Sequence, residues 1–140
     1  MNVPQLLSDL AEYFQDNLVI EDFDPIATLI YEEIDLDKQK NKVLLGVRMD
    51  SEIEYAELSN QSLLATFTID VDFIFQRMTE ADLVSYQNAY FEAVLDLLVS
   101  RSAADFEYIV PIKSTFFDAV EGRENAKALE FIFKASKEVV

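Results

Sequence analysis

The 140-residue chain contains no histidine and no cysteine. Without them there is no Ser/His/Asp or Cys/His nucleophile, no thiolate chemistry and no disulfide. The common zinc sites built from imidazole and thiolate are excluded as well. Glycine occurs twice, at Gly46 and Gly122, and proline three times, at Pro4, Pro25 and Pro111. That scarcity argues against a glycine-rich phosphate loop and against a long flexible linker. Positive charge is also scarce, with 11 Lys and Arg against 27 Asp and Glu, a net charge of −16. Such a surface repels a phosphate backbone, so direct nucleic-acid binding is not expected. No uncharged apolar run approaches the roughly 18 residues of a membrane span, and Met1-Asn2-Val3-Pro4 lacks the basic and apolar regions of a secretory signal. The expectation is a soluble, cytoplasmic protein.

What is present is enough to fold. Hydrophobic residues make up 51% of the chain, with 11 Phe and 6 Tyr, so the acidic excess does not imply disorder. The length suits one domain spanning 1–140, able to bury about two-thirds of the surface its unfolded form exposes. There is no internal repeat and no low-complexity tract.

From Ala65 to Phe75 apolar residues hold the odd positions, while Thr66, Thr68, Asp70 and Asp72 hold even ones, the mark of a strand with one wet face. Thr79 then stands at a helix N-cap, with Asp82 three residues on. Leu83, Tyr86, Tyr90, Val94, Leu97 and Leu98 form the apolar stripe of a helix over Glu80 to Ser100. Upstream, Asn2 and Pro4 begin a first helix whose buried face is Leu6, Leu7, Leu10, Phe14 and Leu18. Pro25 ends that region in a loop. Ala27 to Leu36 reads as a strand through Leu29, Ile30, Tyr31 and Ile34. The polar connector Asp37 to Asn41 then joins it, as a hairpin, to a strand carrying Val43, Leu45, Val47 and Met49. Asp50 to Asn60 either prolongs that strand or forms an acidic excursion. Phe106, Tyr108, Val110 and Ile112 resume strand periodicity, with Pro111 pointing to an edge, and Glu121-Gly122-Arg123 reads as a turn. Leu129, Phe131, Phe133 and Ala135 fit a closing strand, although Leu129, Phe133 and Val140 also align on a helix; the strand is preferred. The expected fold is α+β: an N-terminal helix, an antiparallel β-meander, a long amphipathic helix on the sheet, and one or two returning C-terminal strands.

Candidate chemistry is sparse. Asp70 and Asp72 share one strand face roughly 7 Å apart, a spacing that suits a hard cation such as magnesium. The plainer reading is two polar residues on a solvated face, and no third oxygen ligand is identifiable, so no metal and no cofactor is assigned. Glu32 and Glu33 point to opposite faces, and Glu52 and Glu54 are a further carboxylate pair without a partner group. Asp35-Leu36-Asp37 opens like a calcium loop but lacks the turn glycine and the closing glutamate of an EF-hand. Tyr86 and Tyr90 read as core-edge residues with hydroxyls at the boundary.

Phe116-Phe117 is odder, because adjacent aromatics in an extended segment cannot both face the same core: either one reaches a partner, or a twist or turn buries both. The charge is also uneven: residues 1–37 hold ten acids and no Lys or Arg, while the last 18 carry Arg123, Lys127, Lys134 and Lys137 against three Glu. Contacts between copies could join those two ends, although ordinary acidic solubilisation is the preferred reading. Phe116, Phe117, Lys127 and Lys134 are the interface candidates; no catalytic, cofactor-binding or metal residue is assigned.

This order of elements, with the strand Ala65 to Phe75, the helix after it and the closing Ala128 to Phe133, resembles the tail terminator and related head-tail completion proteins of long-tailed bacteriophages. The resemblance covers most of the chain and includes no diagnostic motif. It implies a non-enzymatic phage or prophage structural protein that self-assembles, as a ring at the end of the tail tube, and binds tail or connector proteins. Such a protein would sit in the cytoplasm during assembly and then in the virion. The alternative is a small acidic homodimeric chaperone of type III secretion, holding an extended client and ending in a helix. An enzyme is a distant third, since only carboxylates, tyrosines and hydroxyls remain for chemistry.

Overall fold

Hydrophobic periodicity decides most of the elements found in the computed structural model, which describes residues 1–30, 35–59, 61–99 and 103–139. Helix α1, Val3–Asn17, starts where the Asn2 side chain accepts a hydrogen bond from Gln5 N at 3.1 Å, with Pro4 in the first turn. Leu6, Leu10 and Phe14 are buried on its inner face, and Leu18 beyond its end is buried too. Strand β1, Thr28–Ile30, is short. A 3-10 turn at Leu36–Lys38 leads to β2, Val43–Glu57, which forms a long hairpin with β3, Leu63–Gln76. Helix α2, Glu80–Leu97, is capped by Thr79, whose hydroxyl accepts from Asp82 N at 3.2 Å. Strands β4, Tyr108–Phe117, and β5, Ala126–Val139, complete the chain. The fold is α+β, and the C-terminal segment is strand.

The sheet order is β1-β2-β3-β5-β4, antiparallel throughout except for β1 against β2. Here the expected hairpin between the first two strands is corrected: they run parallel, with Thr28 opposite Leu44 and Ile30 opposite Gly46. Parallel strands need a crossover, not a tight turn. The polar residues taken for a turn belong to that crossover. Asp35 Oδ1 accepts from Asp37 N at 3.0 Å, Leu36 is buried, and Arg123 reaches Asp37 at 2.8 Å. Tyr31, Ile34, Glu32 and Glu33 of the expected strand, and Ser100 at the expected helix end, lie outside the described residues.

Both helices cover one face of the sheet. Ala65, Phe67, Ile69, Val71, Phe73 and Phe75 of β3 are all buried there, beside Leu129, Phe131, Phe133 and Ala135 of β5. Phe73 lies edge-on to Phe131 at 6.2 Å, and Phe131 stacks on Phe133 at 5.5 Å. Removing this apolar surface from water stabilises the fold by roughly 25 cal/mol per Å². The expected stripe of α2 is buried along Leu83, Tyr86, Tyr90 and Val94, with Leu97 only half-buried. Gln87 joins it: its amide donates to the carbonyls of Phe117 at 3.0 Å and Ala128 at 2.8 Å, tying the helix to β4 and β5. Tyr86 OH accepts from Asp24 N at 2.8 Å, and Tyr90 OH donates to Asp24 O at 2.7 Å, so both hydroxyls anchor the loop after α1. Burial, with Tyr86 and Asp24 nearby, raises the Tyr90 phenol above its usual value.

Residues 50–57 prolong β2. A register shift between Met49 and Ile53 inserts a bulge, after which pairing continues to Glu57 opposite Leu63. The turn expected at residues 121–123 is also present. Val120 and Arg123 pair through Arg123 N to Val120 O at 2.9 Å, with Glu121 and Gly122 both at positive φ, the geometry of a type I′ turn. No helix among the described residues is long and apolar enough to cross a membrane.

Candidate functional site

The sheet face away from the helices is polar, and strand register decides what meets there. Asp70 and Asp72 stand on the even positions of β3; Arg48 of β2 pairs with Asp70, and Glu130 of β5 pairs with Asp72. One carboxylate oxygen from each of Asp70, Asp72 and Glu130 lies within 4.8 Å of the others. Arg48 Nη2 donates to Oδ2 of both Asp70 and Asp72 at 3.2 Å. One guanidinium therefore faces three acids.

The excess negative charge is relieved by protons. Burial first, then the fields of Asp70 and Glu130, push Asp72 up from 3.8 to about 7, against the lowering influence of Arg48. Glu130 is raised as well, by burial and by Asp70, while Lys113 pulls it down. Asp70 Oδ1 is buried with no hydrogen-bond donor from the described residues. A proton held on the raised Asp72 or Glu130 carboxyl supplies one.

Glu130 is the third oxygen ligand that sequence reasoning did not find, because the pairing of β3 with β5 is absent from any local pattern. Three carboxylates suit a hard cation chemically. Arg48 already supplies a fixed positive charge to two of them, and a cation has to displace it. Millimolar magnesium or calcium is therefore expected to leave the melting temperature unchanged at pH 7. A stabilising shift, lost on Asp70→Asn, would place an ion in the cluster instead.

The second feature is the free edge of the sheet. Strand β4 has β5 on one side and no strand on the other among the described residues, whereas the opposite edge, β1, is only three residues long. Four large apolar side chains on β4 are exposed: Tyr108 at 37%, Ile112 at 58%, Phe116 at 43% and Phe117 at 41%. Lys113 is its one charge. Pro111 lies in this strand, at the edge expected for it, next to a bulge between Pro111 and Lys113. The inner side of Phe116 touches Phe91 of α2, with ring centroids 5.2 Å apart.

The interface candidates thus separate. Phe116 and Phe117 stand together on the open edge. Lys134 is exposed on the polar face, opposite Thr68 and Val110. Lys127 is a correction: it is only 5% exposed, and its ammonium lies 3.0 Å from Glu80 Oε1 and donates to Asp118 O at 3.2 Å. Its place opposite Phe75 turns it toward the helix side, where it bridges α2 and the β4–β5 connection. Sequence reasoning missed Ile112, whose exposure comes from the bulge, and Tyr108.

Scans against protein-family models and against curated proteins found no match to this chain.

Proposed function

We propose that the protein is a non-enzymatic assembly protein that works through protein–protein contacts, with β4 as the contact strand. The observation that carries this reading is the concentration of exposed Tyr108, Ile112, Phe116 and Phe117 on one open sheet edge. Free strand edges bearing apolar side chains pair readily with further strands; the Pro111 bulge and Lys113, which blunt such an edge, sit in the middle of β4 and leave residues 114–117 uninterrupted. The histidine- and cysteine-free composition is in keeping with a role that needs no nucleophile.

The particular assembly follows from the resemblance stated above: tail completion or head-tail joining in a phage or prophage. The partners are then copies of the chain itself and tail or connector proteins, first in the cytoplasm and then in the virion. The chaperone reading called for a C-terminal helix; Ala126–Val139 is a strand, which favours the assembly reading.

Native mass spectrometry and negative-stain electron microscopy of the purified chain test it. Oligomers above dimer, with ring-shaped particles, are expected, and Phe116→Asp combined with Phe117→Asp should dissolve them. Reproducible turnover of a small compound, abolished by changing one acidic side chain, would overturn the proposal.

A further inference from the structure

We infer that the β4 edge is covered by a second copy of this chain, its own β4 running antiparallel across a two-fold axis through Ser114. This rests on the assembly reading and names the partner and the register.

Charge selects the occupant. Two copies each carrying −16 repel over most of their surface, but the ten residues of β4 contribute a single charge, and it is positive. This edge is where like chains approach with least cost. A two-fold axis makes the contact isologous, so a strand that meets itself does so antiparallel.

Geometry then selects the register. Pro111 offers no N–H and sits at the bulge, so the uninterrupted part of the edge begins at Ile112. Pairing with β5 places Lys113 and Thr115 on the polar face, opposite Ile132 and Glu130, and Ser114 and Phe116 on the helix face, opposite Phe131 and Leu129. Alternation returns Ile112 to the helix face. A two-fold axis perpendicular to the sheet keeps faces matched only if it passes through a residue. Centred on Lys113, it opposes two ammonium groups. Centred on Thr115, it sets Ile112 against Asp118.

Centred on Ser114, it sets Ile112 against Phe116 of the second copy, twice, so the exposed apolar residues of the helix face cover each other. The same register sets Lys113 beside Thr115 of the second copy. Thr115 neighbours Glu130 in its own sheet. Lys113 then lies two strand spacings, roughly 10 Å along the sheet, from Glu130 of the second copy. A long flexible ammonium extends toward a carboxylate cluster whose one ion-paired cation among the described residues is Arg48. Each copy thus adds a second ammonium to the one that Lys113 already brings toward Glu130 in its own sheet, and any larger ring contains an even number of copies.

The natural absence of cysteine allows a direct test, because a single introduced thiol can form a disulfide only with its counterpart in another copy. Directly opposed residues in an antiparallel pair have Cβ atoms roughly 4.5–5.5 Å apart, close to disulfide range. Under mild oxidation Ser114→Cys should give a covalent dimer of the 16.0 kDa chain, in several-fold higher yield than Lys113→Cys or Thr115→Cys. In sedimentation, Phe116→Asp and Ile112→Asp should each weaken association at least tenfold while the circular dichroism spectrum stays unchanged. A maximum at position 113 or 115, or a ring of odd number, overturns the inference. An oligomer that survives Phe116→Asp without cross-linking at position 114 also overturns it, yet leaves assembly through another surface standing. A chain that remains at 16.0 kDa from micromolar to millimolar concentration overturns the pairing and leaves the edge to a partner of different sequence.

Discussion

Phe73→Ala should cost about 3–5 kcal/mol of folding stability, a fall in melting temperature of roughly 10 °C or more for a chain of this size. The ring of Phe73 is fully buried at the centre of β3, edge-on to Phe14 at 6.1 Å and to Phe131 at 6.2 Å, and 5.6 Å from Tyr90. It joins α1, α2 and β5 at one point. Truncation removes the transfer energy of the ring and leaves a cavity that these three aromatic side chains on rigid elements cannot fill. Phe116→Ala is the control, since that ring is 43% exposed on the β4 edge and its loss should cost about 1 kcal/mol or less. Denaturant unfolding of both variants checks the contrast. Equal losses would mean that β3 is not the centre of the core.

The second large effect is a pH dependence seated at Asp72. Its carboxyl is held at about 7 in the fold against an ordinary 3.8. A raised folded-state value means that the native protein binds this proton more tightly than the unfolded chain does. The stability from the bound proton is fully present below pH 3.8 and is lost as pH rises through about 7. At roughly 1.4 kcal/mol per unit, the contribution is on the order of 2–4 kcal/mol, the lower figure applying because Glu130 shares the proton. Asp72→Asn cannot ionise and keeps the neutral shape. Relative to the parent chain it should gain stability progressively between pH 4 and pH 8, and show little gain at pH 4. Thermal unfolding at matched ionic strength measures that difference, in which the general repulsion among the other acids cancels. A variant whose difference from the parent is flat over this range would remove Asp72 as the seat of the effect.

How far such features could be read in advance depended on the distance over which their causes act. The faces of β3 and α2 follow from positions two, three and four residues apart, and the caps at Asn2 and Thr79 from side chains reaching three residues on. All are local, and all are found as expected. The same holds for the alternation from Leu129 to Ala135, where burial on the sheet outweighs the helix-forming tendency of Ala, Lys and Leu. Asp35 illustrates the boundary. Its short-range hydrogen bond to Asp37 N makes a 3-10 turn inside a crossover, while the surrounding polar residues look like a hairpin loop. Strand direction leaves no trace in period-two alternation.

The candidate sites lie on the far side of that boundary. Asp70 and Asp72 were recognisable as neighbours on one strand, but Glu130, 58 positions beyond Asp72, joins them only through the β3–β5 pairing. Lys127 and Lys134 look alike in the primary structure, seven residues apart and both basic. Opposite strand faces and the reach of Glu80 bury the first and leave the second in solvent. Composition and short-range pattern were sufficient to establish both helices and the long strand β3, which face of each is apolar, and which nucleophiles the protein cannot use. Strand order, the parallel first pair, the carboxylate cluster and the open β4 edge arose from contacts between distant segments. Those contacts are set by the total apolar surface the elements can hide together, a quantity no single segment contains.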